Sequence, residues 1–262
     1  MNLFLTVRAL ECLLATSLLI QTLEFLGLSR FADARSVWSW QLQRGDVAHT
    51  SVWLQKLFDW LFQERVHQAH LLLRLGAAAS LFFGVSLVSA VFLFISSLLI
   101  LIRWRGAFNG GSDFMTMVVL TGLLVSQVAQ PIVGPVIAWK AGLWYITIHS
   151  ISSYFISGTI KIVSSDWRSG RVLIYFLDGG LYGPLSNDSL LRKKPIAVIA
   201  SWSFIGWECL FPLALAGPQW AMLWCGIAAL FHFLVFRFFG LNRFFWAWAA
   251  SFPAIIYCST QW

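Results

Sequence analysis

The sequence predicts an all-α fold, a polytopic transmembrane bundle of about eight helices. Of its 262 residues, 59% are hydrophobic and only 11% are charged, which is more apolar surface than a soluble domain of this size needs. The apolar residues are gathered into runs of helix length, and the alternation typical of strands is absent. Because only helices and closed barrels satisfy their backbone hydrogen bonds in lipid, we interpret each run as a helix.

The predicted helices form a single transmembrane domain over residues 1–262, and we expect no soluble domain. Their approximate bounds are 3–28, 69–83, 86–102, 114–137, 142–163, 196–216, 219–239 and 244–260. The stretch 69–102 admits a second interpretation, one tilted helix about 50 Å long. Two helices turning near Gly84 are favoured, because an eight-helix topology places 15 Lys and Arg residues on one side and 2 on the other. The positive-inside rule makes the basic side cytoplasmic.

Two long loops carry further patterns. In the loop 29–68, Trp53, Leu57, Trp60 and Leu61 fall at helical spacing, which predicts an amphipathic helix at the membrane interface or packed against the protein. In the loop 164–195, the glycines and proline of 179–184 favour a segment that folds back over the helix ends.

Composition also excludes several classes of function. The net charge of +7 is best explained by basic loops beside anionic lipid, so no nucleic-acid partner is expected. The four cysteines lie scattered in apolar segments, without the spacing of a metal site or a disulfide framework. His67 and His70 have a three-residue spacing, but no supporting ligands accompany them, so no metal is predicted. Glycine-rich phosphate loops and serine-hydrolase motifs are also absent.

A line of polar residues follows the predicted helix 142–163. His149, Ser153, Ser157 and Lys161 recur every four residues and therefore lie along one face. Serines at this spacing more often reflect close helix packing or bonding to the preceding turn. A lysine at membrane depth costs about 2.5–3.5 kcal/mol on insertion scales, so Lys161 is a functional candidate unless its amine reaches the headgroups.

Two more titratable residues lie inside later helices. Glu208 precedes the turn at Gly217–Pro218, and His232 follows it, at depths that differ by roughly 6 Å. We therefore expect a Glu208–His232 pair, either as part of a site or as a polar clamp between two helices.

Several motifs resemble the membrane module of vitamin K-dependent gamma-carboxylase, also called the horizontally transferred transmembrane domain. The first is Tyr154-Phe155-x-x-Gly158-x-x-Lys161 followed by Trp167-x-x-Gly170. The second is Phe231-His232 with the later Ala250-Ser251-Phe252-Pro253, and the third is Asn109-Gly110-Gly111-Ser112-Asp113. The family has a histidine after that asparagine, where this chain has Gly110. In length the chain is closest to the bacterial branch that resembles sporulation-delaying protein B.

The resemblance implies a multi-pass enzyme of the bacterial cytoplasmic membrane that uses a reduced, vitamin K-like quinone to modify a peptide. Lys161 matches the family's proposed base, which removes a proton from the hydroquinone. The remaining implied site residues are His149, Glu208 and His232 in the polar interior, and Tyr154, Gly158, Trp167 and Asn109 around the cofactor. The smaller branch also implies a soluble partner protein and a secreted peptide.

Two other functions remain open on the sequence alone. The first is a non-enzymatic membrane partner that assists maturation or assembly of a secreted peptide. The second is a proton-coupled transporter that uses Lys161, His232 and Glu208 as a relay. It has less support, because the sequence has no inverted repeat.

Overall fold

The computed structural model describes residues 2–29, 38–105 and 110–261. Within these ranges the secondary structure is helical and contains no strand, so the predicted all-α class is confirmed. The α-helices of the described residues are α1 (Leu3–Ser29), α2 (Trp40–Gln43), α3 (Val52–Leu61), α4 (Glu64–Ser80), α5 (Leu87–Arg103), α6 (Gly110–Val133), α7 (Pro135–Val163), α8 (Ser165–Arg168), α9 (Arg171–Asp178), α10 (Lys194–Cys209), α11 (Pro218–Phe239), α12 (Asn242–Ala249) and α13 (Phe252–Cys258).

Three of these helices, α1, α6 and α11, are long and apolar enough to cross a membrane. Helix α5 is apolar but has only 17 residues. These helices make the chain compatible with a membrane protein. The arrangement of about eight spans stays a prediction.

The stretch 69–102 is interrupted by a turn. Helix α4 ends at Ser80, and α5 begins at Leu87. Between them, Gly84 has φ +127°, a backbone conformation that side-chain-bearing residues rarely adopt. Ser86 then caps α5, because its hydroxyl accepts a hydrogen bond from the backbone N–H of Ser89. In return, the Ser89 hydroxyl accepts a hydrogen bond from the backbone N–H of Ser86.

The junction between α6 and α7 lies earlier in the chain than the gap predicted at 138–141. Gly134 adopts φ +79° directly after α6, and Pro135 is the first residue of α7. Glycine is favoured just past a helix end and proline just inside a helix start, so this dipeptide separates two helices without a loop.

Prolines also subdivide the C-terminal part of the chain. Helix α10 ends at Cys209, and a 3-10 helix over Phe211–Ala216 replaces the last turns of the predicted helix 196–216. The predicted helix 244–260 is divided into α12 and α13, with Pro253 in the first turn of α13. Proline has no N–H to donate and is tolerated mainly in the first turn, so each one favours a helix start.

The chain forms two compact units, Val7–Gly142 and Leu143–Trp262 with Met1–Thr6. In the first unit, Arg8 and Glu11 form an ion pair within α1, three residues apart. Glu11 also accepts the Val85 backbone N–H, and the Arg8 guanidinium donates to the carbonyls of Leu81 and Phe82. These hydrogen bonds join α1 to the turn after α4.

A fully buried arginine connects the helices of the same unit. The Arg74 side chain on α4 is 0% exposed. Its guanidinium donates to Gln21 and Thr22 of α1, at 2.8 and 3.1 Å, and to the hydroxyls of Ser96 and Ser97 of α5, each at 3.0 Å. The Gln21 amide in turn donates to Asp113 of α6 at 2.9 Å. A buried cation with this many acceptors avoids most of the penalty of leaving water.

The amphipathic segment of the first loop forms helix α3. Ser51 caps it by accepting the Leu54 N–H. Trp53 and Trp60 remain 69% and 55% exposed, which leaves an aromatic face uncovered. The second loop contains α8 and α9 and returns over the end of α11, where the Leu181 N–H donates to the Phe238 carbonyl at 2.8 Å. The predicted folding back of this loop is therefore confirmed.

Candidate functional site

Lys161 lies near the end of α7 and forms an ion pair with Glu208 near the end of α10. The Lys161 Nζ is 2.5 Å from Glu208 Oε2 and donates a second hydrogen bond to the Ser157 hydroxyl at 2.6 Å. Ser157 donates to Glu208 Oε1 at 3.3 Å, which closes a three-membered polar network. The side chains of Lys161 and Glu208 are only 15% and 6% exposed. Because an ammonium has three N–H donors, one remains for a ligand.

Gly158 brings α7 and α10 together at this network. A Cβ at this position would lie 2.7 Å from the Cys209 backbone nitrogen and 2.9 Å from Glu208 Cβ. Only glycine permits such an approach of one helix to the backbone of another. This contact places Glu208 within hydrogen-bonding distance of a lysine one turn further along α7.

Trp167 lies beside the lysine because of a second close approach. Ser164 caps α8, Gly170 has φ +77°, and a Cβ on Gly170 would lie 2.7 Å from the Ala197 carbonyl carbon. The segment between them holds the Trp167 ring 5.1 Å from Lys161 Nζ, within cation–π distance. The Ser201 hydroxyl also donates to the Trp167 carbonyl.

An apolar cavity of about 410 Å³ opens at the ion pair. Lys161 and Glu208 are the charged residues of its lining. The rest of the lining is apolar or aromatic, and it comprises Trp167, Leu173, Phe176, Leu177, Leu191, Ala200, Phe204, Phe231, Leu234, Val235, Phe238 and Phe239. A mostly apolar cavity with a few convergent polar groups is typical of a small-molecule site.

The predicted Glu208–His232 pair is wrong. Glu208 instead bonds Lys161, and His232 Nε2 lies 2.6 Å from the Tyr154 hydroxyl. The prediction compared the depths of Glu208 and His232 only along the two helices that Gly217–Pro218 joins. Helix α7 instead supplies a partner to each residue. Tyr154 and His232 are 3% and 1% exposed and pack among rings, with Trp248 stacked 4.9 Å from the imidazole.

One other predicted site residue, His149, lies apart from the network. His149 is exposed and bonds the Tyr145 carbonyl of its own helix at 2.9 Å. It is 12 residues from Lys161, about 18 Å along a helix, so its expected place in the polar interior is corrected. Ser153 bonds the His149 carbonyl, which is the local bonding expected of such serines. Asn109 lies outside the described residues.

The aromatic residues that line the cavity, such as Phe204 on α10 and Phe238 on α11, were not predicted from the sequence. Nothing in the sequence distinguishes them from the other phenylalanines of these helices. Among the residues that the structure describes, no three His, Cys, Asp or Glu side chains are grouped closely enough to hold a metal ion.

Comparison of the chain with protein-family models, curated proteins and solved structures found no match.

Proposed function

We propose that the chain is an integral, multi-pass membrane protein with the eight-span arrangement predicted from its sequence. Three apolar helices of spanning length support this proposal. So does the exposure of large apolar side chains, which includes Leu73, Phe83, Val88 and Ile132 at 66% or more. In water such a surface would promote aggregation, whereas in a bilayer it contacts acyl chains. Cysteines introduced singly into the interhelical segments, and labelled from one side of sealed vesicles, test the number of spans.

We further propose that the protein is an enzyme of the gamma-carboxylase-like membrane class that binds a quinol-like molecule in the 410 Å³ cavity. One observation carries this proposal: a Lys–Glu pair lies at the edge of a cavity with an otherwise apolar lining. The aromatic walls suit a flat ring with an apolar tail, and the free donor of Lys161 suits a ring oxygen. The resemblance of 154–170 to the carboxylase motif points to the same residues.

The paired residues provide a place for one proton. In the ion pair, Lys161 carries three protons and the Glu208 carboxylate carries none. A proton removed from a ring hydroxyl reaches Glu208 directly, or Lys161 accepts it after passing one of its own across the 2.5 Å hydrogen bond. In both routes, the Lys161 ammonium would hold the ring oxygen and would stabilise negative charge on it. A bound quinol would supply the acidic ring hydroxyl, and the peptide substrate follows from the family resemblance.

The experiment is mass spectrometry of lipid-soluble molecules that co-purify with the wild type, Lys161→Ala and Lys140→Ala. Lys140 is a matched control, because it lies on the same helix, 21 residues before Lys161. We expect a quinone with the wild type and with Lys140→Ala, and its loss with Lys161→Ala. Absence of a quinone from all three samples would refute the proposal, and together with stable capture of a peptide partner it would favour the non-enzymatic maturation role.

A further inference from the structure

A second cavity, of about 250 Å³, lies within the unit Val7–Gly142. It is formed where α4 begins and α5 ends, and its lining includes Ser29, Ser39, Gln63, Glu64, His67 and Arg103. It is separate from the Lys161 site in sequence and in lining residues. Two of its lining residues, His67 and Arg103, each have a buried nitrogen atom without a hydrogen-bond partner.

The first of these atoms is Nδ1 of His67. The Trp104 indole donates its N–H to His67 Nε2 at 3.1 Å. Because an indole N–H only donates, Nε2 is the acceptor, and the proton of the neutral imidazole lies on Nδ1. The His67 residue is 3% exposed, and Nδ1 has no partner, so it is a buried donor without an acceptor.

The second atom is Nε of Arg103. This residue is also 3% exposed, and its guanidinium lies 4.6 Å from the centre of the Trp104 ring. One terminal nitrogen donates to the Gln43 side chain at 3.1 Å, while Nε has no partner. No carboxylate of the described residues forms an ion pair with Arg103. A buried guanidinium with a neutral partner and an unused N–H is costly unless an acceptor joins it.

The N-terminus of α4 contributes to the same cavity. Gln63 is the residue before the helix, and its side chain makes no capping hydrogen bond. Gln63 and Glu64 both line the cavity, so the positive end of the dipole of a 17-residue helix lies beside it. Two acidic residues also line it, but the Asp59 carboxylate is occupied by Arg44 and Trp40, and Glu64 is exposed and bonds Gln68.

We infer that this cavity binds a phosphate-type oxyanion. The group that fits must accept hydrogen bonds from His67 Nδ1 and Arg103 Nε, and it must carry negative charge to balance the guanidinium. A single water fills only about 30 Å³ and brings no charge. A phospholipid headgroup and free inorganic phosphate both present this chemistry. The cavity lies at helix ends, where the headgroup of a membrane lipid is available.

The test is thermal unfolding of the full chain in a neutral detergent, titrated separately with sodium phosphate and with phosphatidylglycerol in mixed micelles. Sodium chloride at matched ionic strength is the control for screening. A ligand that binds the folded state raises the unfolding temperature. A response to both probes identifies a site for the oxyanion itself, and a response to the lipid alone identifies a headgroup site that needs the acyl chains. No response to either probe would overturn the inference.

Arg103→Gln and Arg105→Gln form the matched pair of variants. Arg105 lies two residues further along, but its side chain is 63% exposed. We expect Arg103→Gln to weaken binding about tenfold or more, which is the loss typical of a hydrogen bond to a charged group, and Arg105→Gln to bind as the wild type does. Equal binding by all three proteins would overturn the inference, because the probe would then bind elsewhere.

Arg103→Lys replaces Arg103→Gln in the binding test if the glutamine variant does not fold. It keeps the charge but has no Nε–H fork, and we expect binding weaker than that of the wild type. Wild-type binding by Arg103→Lys would show that the unpartnered Nε–H is not used, and it would overturn the inference. Phosphorus analysis of the purified wild-type protein reports a retained phospholipid without any variant.

Discussion

Gly158→Ala is the substitution with the most clearly defined structural effect. The new methyl carbon would lie 2.7 Å from the Cys209 nitrogen and sulfur and 2.9 Å from Glu208 Cβ. Ordinary contact begins near 3.4 Å, so α7 and α10 must separate by about 0.7 Å at this point. Part of the obstacle is backbone, which cannot rotate away. Overpacking of this kind costs about 1–3 kcal/mol, more than the roughly 1 kcal/mol that alanine gains over glycine in a helix.

The measurement is the free energy of unfolding in mixed micelles, for the wild type, Gly158→Ala and Gly206→Ala. Gly206 lies in α10, and apart from its chain neighbours and the nearby backbone of its own helix, no atom of the described residues lies within 4 Å of the place that its Cβ would take. Its substitution therefore has the helix benefit without the clash. We expect Gly158→Ala to be less stable than the wild type and Gly206→Ala to be equal or more stable. If both substitutions stabilised the protein alike, the close approach of α7 and α10 would be refuted.

The remaining predictions concern three charged groups. Glu208→Ala leaves the Lys161 ammonium without its carboxylate, so we expect a loss of stability of about 3 kcal/mol, reduced by any water that reaches Lys161. The double variant Lys161→Met with Glu208→Leu should be less destabilised than either single variant, and a double-mutant cycle of unfolding free energies measures this. Arg74→Ala removes the guanidinium that joins α4 to α1 and α5, and we expect a loss of at least about 3 kcal/mol in the same assay. Hydrogen bonds from Arg44 and then Trp40 lower the pKa of Asp59. The contribution of Asp59 to stability is therefore complete above its ordinary pKa of about 4 and is lost as the pH falls through the lowered pKa. The unfolding midpoints of the wild type and Asp59→Asn, measured between about pH 6 and 2, should converge in acid.

Each of these predictions has a control. Arg65 is exposed on the same helix as Arg74, and Arg65→Ala should change the stability by no more than about 0.5 kcal/mol. An equal loss from both arginine variants would contradict the buried network. Additive losses in the double-mutant cycle would show that Lys161 and Glu208 do not interact. A constant difference between wild type and Asp59→Asn at every pH would contradict the lowered pKa.

Hydropathy predicted the helical class correctly, because the apolar runs differ strongly in composition from their surroundings. Helix ends were less predictable where a single dipeptide ends one helix and begins the next. At Gly134–Pro135 the apolar pattern continues without interruption, and only the backbone preferences of the two residues indicate the break. The gap predicted at 138–141 was placed by polarity, but α7 continues through these residues without a break.

The sequence indicated which residues belong to the candidate site better than it indicated which of them form pairs. A charged residue within an apolar run is conspicuous, so Lys161 and Glu208 were both recognised as candidates. Their pairing depends on which helices lie side by side, and the spacing along one chain does not contain that information. The buried role of Arg74 was hidden for the same reason, because its hydrogen-bond acceptors come from segments 19 to 53 residues away.

The hydrogen bonds of Arg74 bear on how the chain is assembled. Helix α4 carries a guanidinium whose acceptors belong to other helices: Gln21 and Thr22 are synthesised before it, and Ser96 and Ser97 after it. Alone in an apolar medium, α4 would expose that cation at a cost of about 2.5–3.5 kcal/mol. The order of synthesis therefore gives α1 the first opportunity to shield α4, and α5 completes the shielding once the turn at Gly84 has formed. In this sense α4 is a helix whose stability in apolar surroundings depends on its neighbours.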